Sequence, residues 1–279
     1  APIPVLRGQS CQPCSFNKWH HTCHPPYRDA IHFSGDEKPW MHQFLSTFLQ
    51  NDTFSSLEEK IPFWFVELRI LNTELQMGLD FDNWNDQYLE GLQEPLYENQ
   101  SHNSIQHTID SGGSNWTRTD TFTAANIIPN STYAYSFLVG SIHEERIGYK
   151  GFLWNVLLSV EMLQRLGSTA DFVVYLQLAT DSKLPGMPSD DVRILQSMGI
   201  HIIVLPKPPR AAFSDLMFDK FHALQLTQYR RIMYLDSDVL PISNLDYLFQ
   251  LSDPEDTTLP TLFQPNIMHA TQGEPANGG

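Results

Sequence analysis

The stretch Ile232-Met233-Tyr234-Leu235-Asp236-Ser237-Asp238-Val239 drives an apolar strand straight into two aspartates one residue apart. In extended backbone both acids point to the same face. Two carboxylates that close repel unless something positive sits between them. A divalent cation fits that role, and hard oxygen ligands favour manganese or magnesium. The bland alternative is a solvated turn capping a helix over 244–251, and the uninterrupted apolar lead-in speaks against it. Working outward, the flanking pattern alternates strands with helices. Residues 133–139 read as a strand, and 148–166 as an apolar helix closed by Gly167. Residues 172–178 and 201–205 are continuous apolar runs, the mark of strands buried on both faces. Between them Ser189 starts a helix that Gly199 ends. Met217, Phe221 and Leu224 suggest the inward face of another helix, 231–235 a strand, 245–251 a short helix and 261–264 a last strand. This order implies an α/β fold with a mostly parallel, Rossmann-like sheet. Ligands on such sheets bind beyond the carboxyl ends of the strands, where the acid pair falls.

Composition narrows the function. The 279 residues carry 32 Asp+Glu against 17 Lys+Arg, a net charge of −15. Nucleic-acid binding needs a positive field, so that class is set aside, as is an anionic membrane surface. An anionic substrate needs a metal ion or a local cluster of cations. No stretch approaches the ~20 apolar residues of a membrane span.

Two enzyme classes place Asp-x-Asp after an apolar strand. In haloacid-dehalogenase-like phosphatases the first aspartate, here Asp236, is the nucleophile, but that motif opens its domain. Here about a hundred residues of strand and helix precede it. In nucleotide-sugar glycosyltransferases both acids hold a metal against a sugar diphosphate. The segment Lys220-Phe221-His222-Ala223-Leu224, then Arg231 to Asp238, then Asn244-Leu245-Asp246-Tyr247-Leu248-Phe249, resembles glycosyltransferase family 8, the glycogenin-like family. The resemblance covers 133–279 and implies a GT-A-type fold, a UDP-sugar donor, manganese and retention of anomeric configuration. It implies that Asp236 and Asp238 hold the metal and that Ser237 sits at the donor. It also makes Lys220 a cation for the donor and Asn277, of Asn277-Gly278-Gly279, a sugar contact. No residue is assigned as a catalytic nucleophile. The acceptor, a glycan or a protein, is not readable. A decayed, non-catalytic transferase scaffold is the remaining alternative.

His32-Phe33-Ser34-Gly35-Asp36-Glu37-Lys38-Pro39-Trp40 also resembles a family 8 motif, H-x-x-G-x-x-K-P-W. There the histidine is a metal ligand, the glycine lets backbone approach the diphosphate and the lysine neutralises it. The resemblance therefore adds His32, Gly35 and Lys38 to the site residues. In the family this motif follows the acid pair; here it precedes it by about two hundred residues. A circular permutation or a tandem would explain this, and the long polar stretch favours the tandem. Residues 1–50 would then end one transferase domain, 51–130 would be a helical and then polar spacer, and 131–279 would begin a second domain. His32 would serve another domain's metal and lie more than roughly 15 Å from Asp236, each site left to itself by the spacer.

Cys11, Cys14 and Cys23, with His20, His21 and His24 among them, suggest zinc or a local disulfide. The lack of a second pair favours the disulfide. Sequons at Asn51, Asn99, Asn115 and Asn130 point to the secretory pathway, with the Golgi lumen as the expected compartment and the cytoplasm as the alternative.

Overall fold

A computed structural model describes residues 30–33, 38–41, 60–93, 116–117, 122–208, 218–253 and 255. Its centre is a four-stranded parallel sheet built from β3 (Tyr133–Ile142), β4 (Asp171–Leu178), β6 (His201–Leu205) and β7 (Arg231–Tyr234), in the order β6-β4-β3-β7. Every residue of β4 is buried, as its unbroken apolar run requires. Helix α3 (Gly148–Arg165) joins β3 to β4, and α4 (Ser189–Ser197) joins β4 to β6. The chain then returns to the far side of β3 to form β7. That reversal leaves a crevice at the carboxyl ends of β3 and β7, the place where such sheets take ligands. Gly167 (φ +82°) and Gly199 (φ +74°) close α3 and α4 in the left-handed conformation expected of them. Ser189 opens α4, but its hydroxyl meets Thr117 on the short strand β2 (Trp116–Thr117), 3.0 Å away, and does not cap the helix. β2 pairs with β5 (Met187–Pro188). Helix α5 (Asp246–Ser252) is tied back by Asp246, which accepts hydrogen bonds from Tyr135 and Ser168, both 2.7 Å, and from the Thr169 amide, 2.9 Å.

The first half of the chain does not stand apart from this sheet. Helix α1 (Lys60–Leu75) buries Trp64, Phe65, Leu68 and Leu71 completely or nearly so. It is followed by a π-helical turn (Asn85–Leu89) that runs on into α2 (Glu90–Gln93). Trp84, also fully buried, stacks on Phe81 and meets Phe65, Trp64 and Trp154 of α3 at 5.2–6.4 Å between ring centres. Residues 60–93 are therefore helical as expected but are core, not spacer. An aromatic cluster of this size removes several hundred Å² from water and holds the segment to α3.

The same holds for the earliest described strand. β1 (Ala30–His32) pairs antiparallel with β8 (Val239–Pro241), and His32 lies opposite Val239. This stretch, expected to end a separate upstream domain, pairs here with the strand that follows the acid pair. The three-residue turn Pro39–Met41 anchors it from the other side. Trp40 is buried against Phe152 of α3 at 5.0 Å and Trp64 at 5.8 Å.

The segment Lys220–Gln225 is a 3-10 helix. Its three-residue period turns Ala223 and Leu226 inward and leaves Phe218, Phe221 and Leu224 exposed. The expected inward face is thus the outward one, and Met217 lies outside the described residues. So do the strand at 261–264, the three cysteines and the sequons at Asn51, Asn99 and Asn115. Asn130 is exposed, as a glycosylation acceptor must be. Among the described residues no helix is long and apolar enough to cross a membrane.

Candidate active site

Strand β7 carries the chain to the switch-point crevice, and the Leu235 amide extends the ladder by donating to the Ser136 carbonyl, 2.9 Å. The Val239 amide then donates to the Asp236 carbonyl, also 2.9 Å, closing a tight turn before β8. Asp236, Ser237 and Asp238 sit on that turn. The helix that follows is served by Asn244, whose side-chain oxygen accepts from the Asp246 amide at 2.8 Å. The acid pair is therefore not the cap of α5.

Four hydrogen bonds from three residues fix the turn. From in front, the Phe33 amide donates to the Asp238 carbonyl, 3.0 Å, continuing the β1–β8 pairing. From behind, Asn155 of α3 donates to the Ser237 carbonyl (3.1 Å) and the Val239 carbonyl (3.0 Å). Ser159, one helical turn on, donates to the same Val239 carbonyl, 2.8 Å. The Asn155 side-chain oxygen accepts from the Trp64 indole, 3.0 Å, so α1 steadies the residue that steadies the turn. Asn155 and Ser159 are fully buried. In the sequence they look like breaks in an apolar helix; the signal was a pair of polar residues four apart, on one helix face. Asn155→Leu is expected to take a partner from the Trp64 indole and from the Ser237 carbonyl, to leave the Val239 carbonyl with Ser159 alone, and to lower stability by about 3 kcal/mol. Chemical denaturation checks this, and an unchanged midpoint would count against the positioning role.

The side chains converge on the turn from both halves of the chain. Lys38 donates from its ammonium to Asp238 Oδ2 at 2.5 Å and to the Phe33 carbonyl. His32 Nε2 lies 3.6 Å from the other oxygen, Asp238 Oδ1. The expectation that His32 serves a different domain's metal and lies far from the acid pair is therefore not met. Lys220 Nζ donates to Asp236 Oδ1, 3.2 Å, and stands 5.5 Å above the Tyr234 ring. Burial, and after it the charges of Asp236 and Asp238, hold the Tyr234 phenol well above its usual range, so it stays protonated. Lys38 and Asp238 are largely buried, while Asp236 and His32 are more than half exposed at the side chain. Gly35 and Asn277 lie outside the described residues.

The donor set is one a divalent ion of the manganese or magnesium class would accept: an imidazole nitrogen, carboxylate oxygens and open positions towards solvent. The 3.6 Å between His32 Nε2 and Asp238 Oδ1 is less than twice a ligand distance of about 2.1 Å, so one ion can contact both. Among the described residues no three His, Cys, Asp or Glu side chains already form a closed ligand set. Asp236 is paired with Lys220, 3.2 Å away.

No family model matches the chain. The chain is 26% identical over 138 residues to UDP-glucuronate:xylan alpha-glucuronosyltransferase 1 of Arabidopsis thaliana, covering 48% of this chain and 19% of that protein. It is 25% identical over 128 residues to putative UDP-glucuronate:xylan alpha-glucuronosyltransferase 3 of the same plant, covering 45% and 20%. The chain thus spans about a fifth of the length of these curated relatives. Both are nucleotide-sugar glycosyltransferases by name, which agrees with the resemblance carried by the two motifs.

Proposed function

We propose that this chain carries the donor site of a metal-dependent, retaining glycosyltransferase that moves a sugar from a UDP-sugar to a glycan acceptor. The observation that carries the reading is the convergence of His32 and Lys38 on Asp238 across two hundred residues of sequence. A motif resembling a metal–diphosphate site is reunited in space with the acid pair it lacks in sequence order. The order of the two motifs then reads as a rearranged single domain. The names of the relatives make UDP-glucuronate the first donor to test and a xylan-type polysaccharide the first acceptor. A lumenal, Golgi location follows from the sequons and a polysaccharide acceptor.

Asp238 and His32, joined by Asp236, would hold manganese, which when bound offsets charge on the diphosphate as the sugar–phosphate bond breaks. Lys38 and Lys220 each pair with one of the acids, and the two ammonium groups would neutralise the leaving nucleotide. Tyr234, protonated, offers a hydroxyl and carries no competing negative charge. Asn155 and Ser159 keep the turn from moving as charge shifts across it, so the donors are already in place when the bond breaks.

The test is calorimetric titration of the chain with UDP-glucuronate in the presence and absence of manganese. Binding is expected to require the metal and to weaken at least about tenfold when it is chelated. Equal affinity in both conditions would remove the metal from the site. A phosphorylated Asp236, or its trapping by a metal fluoride, would point instead to the phosphatase chemistry, and a chain that binds neither would be a scaffold.

A further inference from the structure

Each acid of the motif already holds an ammonium group. Asp238 holds Lys38 and Asp236 holds Lys220. The four side chains sum to zero: two negative charges and two positive. A divalent cation entering alone adds two positive charges beside two lysines. A sugar nucleotide entering alone adds the two negative charges of its diphosphate beside two aspartates. Entering together they add none. In a partly buried crevice, where charges are poorly screened, that difference is large.

Resting on the donor-site reading above, we infer that Lys38 is an exchangeable counter-ion. Without donor its ammonium holds Asp238 in place of a metal. When metal and nucleotide arrive together, the metal takes the carboxylate and the ammonium passes to the diphosphate. The construction of Lys38 suits this. Its backbone is held by the next two residues, since Pro39 and Trp40 are buried. Its side chain is a flexible stem ending in a point charge without a fixed fork, so it can change partner without moving the chain. Its second acceptor, the Phe33 carbonyl, belongs to the residue that directly follows His32 at the end of β1. Displacing the ammonium from Asp238 therefore leaves it within reach of the strand that helps hold the metal. The exchange makes metal and nucleotide binding cooperative, and by linkage the coupling is reciprocal.

The probes are manganese alone, UDP alone and both together, each titrated into the intact chain and followed by calorimetry and by the paramagnetic resonance signal of free manganese. In the unmodified chain, saturating UDP is expected to tighten manganese at least about tenfold, and saturating manganese to tighten UDP by the same factor. Lys38→Met is expected to tighten manganese alone about tenfold, because its competitor is gone, and to weaken UDP in the presence of manganese, so the coupling collapses. Lys38→Gln, which keeps a donor for the Phe33 carbonyl, should show the same signs if the methionine variant folds poorly. Independent binding of the two ligands to the unmodified chain would overturn the exchange without needing any variant. So would a Lys38 variant that leaves manganese alone unchanged or weakened. Failure of the donor-site reading looks different: the unmodified chain would then bind no manganese even with UDP present, or bind it equally well after Asp238→Asn.

Discussion

Gly151→Val is expected to separate the first third of the protein from the sheet it packs against. A side chain at Gly151 on α3 would overlap the indole of Trp40, which is buried beneath it. Neither partner has room to give. Trp40 is enclosed by Phe152 and Trp64, and Gly151 belongs to a helix that packs on the central sheet. Overpacking of this kind costs about 3 kcal/mol. The cost does not stop at stability. Trp40 follows Lys38 by two residues, so pushing it out withdraws the ammonium from Asp238 and loosens β1 from β8. The expected result is a lower denaturation midpoint together with loss of manganese-dependent UDP binding. Trp40→Ala alone should destabilise by about 3–5 kcal/mol through the cavity it leaves. The double variant separates the mechanisms. If the valine acts by striking the indole, it should be far less harmful once the indole is gone, and the two effects will not add. Full additivity would show that Gly151 matters for some other reason.

The central sheet was legible because burial on both faces leaves a local mark. The apolar runs ending at Leu178 and Leu205 became β4 and β6 within a residue of the expected bounds, and the glycines at 167 and 199 closed their helices. The acid pair was legible because an apolar strand that ends in two carboxylates must supply each with a partner. What failed was distance. Sequence separation carries no record of where a chain returns, so His32 and Lys38 could be recognised as metal–phosphate chemistry yet placed at another site. The return is encoded in Trp40, Trp64, Phe65 and Trp84, whose partners are scattered from 40 to 155. No periodic pattern expresses contacts of that kind. α1 does carry one buried stripe at helical spacing, Trp64, Phe65, Leu68 and Leu71, but a stripe tells only that a helix packs and not what it packs against. Phe221 and Leu224 failed differently, since an α-helical period was applied to a 3-10 segment. Asn155 and Ser159 were passed over because a polar residue in an apolar helix reads as an interruption until the carbonyls it serves are known.

The two acids of the motif are expected to respond differently to the same substitution. Asp238→Asn should reduce manganese-dependent UDP binding about a hundredfold, since Asp238 is the carboxylate towards which both His32 and Lys38 converge. It should also cost stability, although a carboxylate at the end of a strand ordinarily contributes little to a core. Both side chains of the Lys38–Asp238 pair are largely buried, and neutralising the aspartate leaves an ammonium among apolar groups with only a carbonyl and a weaker amide oxygen to face. Removing one partner of a fully buried pair costs 3–5 kcal/mol, and the residual exposure here brings that to about 2 kcal/mol. Asp236→Asn should weaken binding in the same direction, because the donor-site reading gives Asp236 a share of the metal. Its stability should change by less than about 1 kcal/mol, since its side chain is half exposed and Lys220 can be solvated when released. Denaturation midpoints of the two variants, measured without metal or nucleotide, isolate this difference. A midpoint shift of equal size in both would mean that Lys38 is not anchored on Asp238. The first segment of the chain would then owe its position to Trp40 and α1 alone.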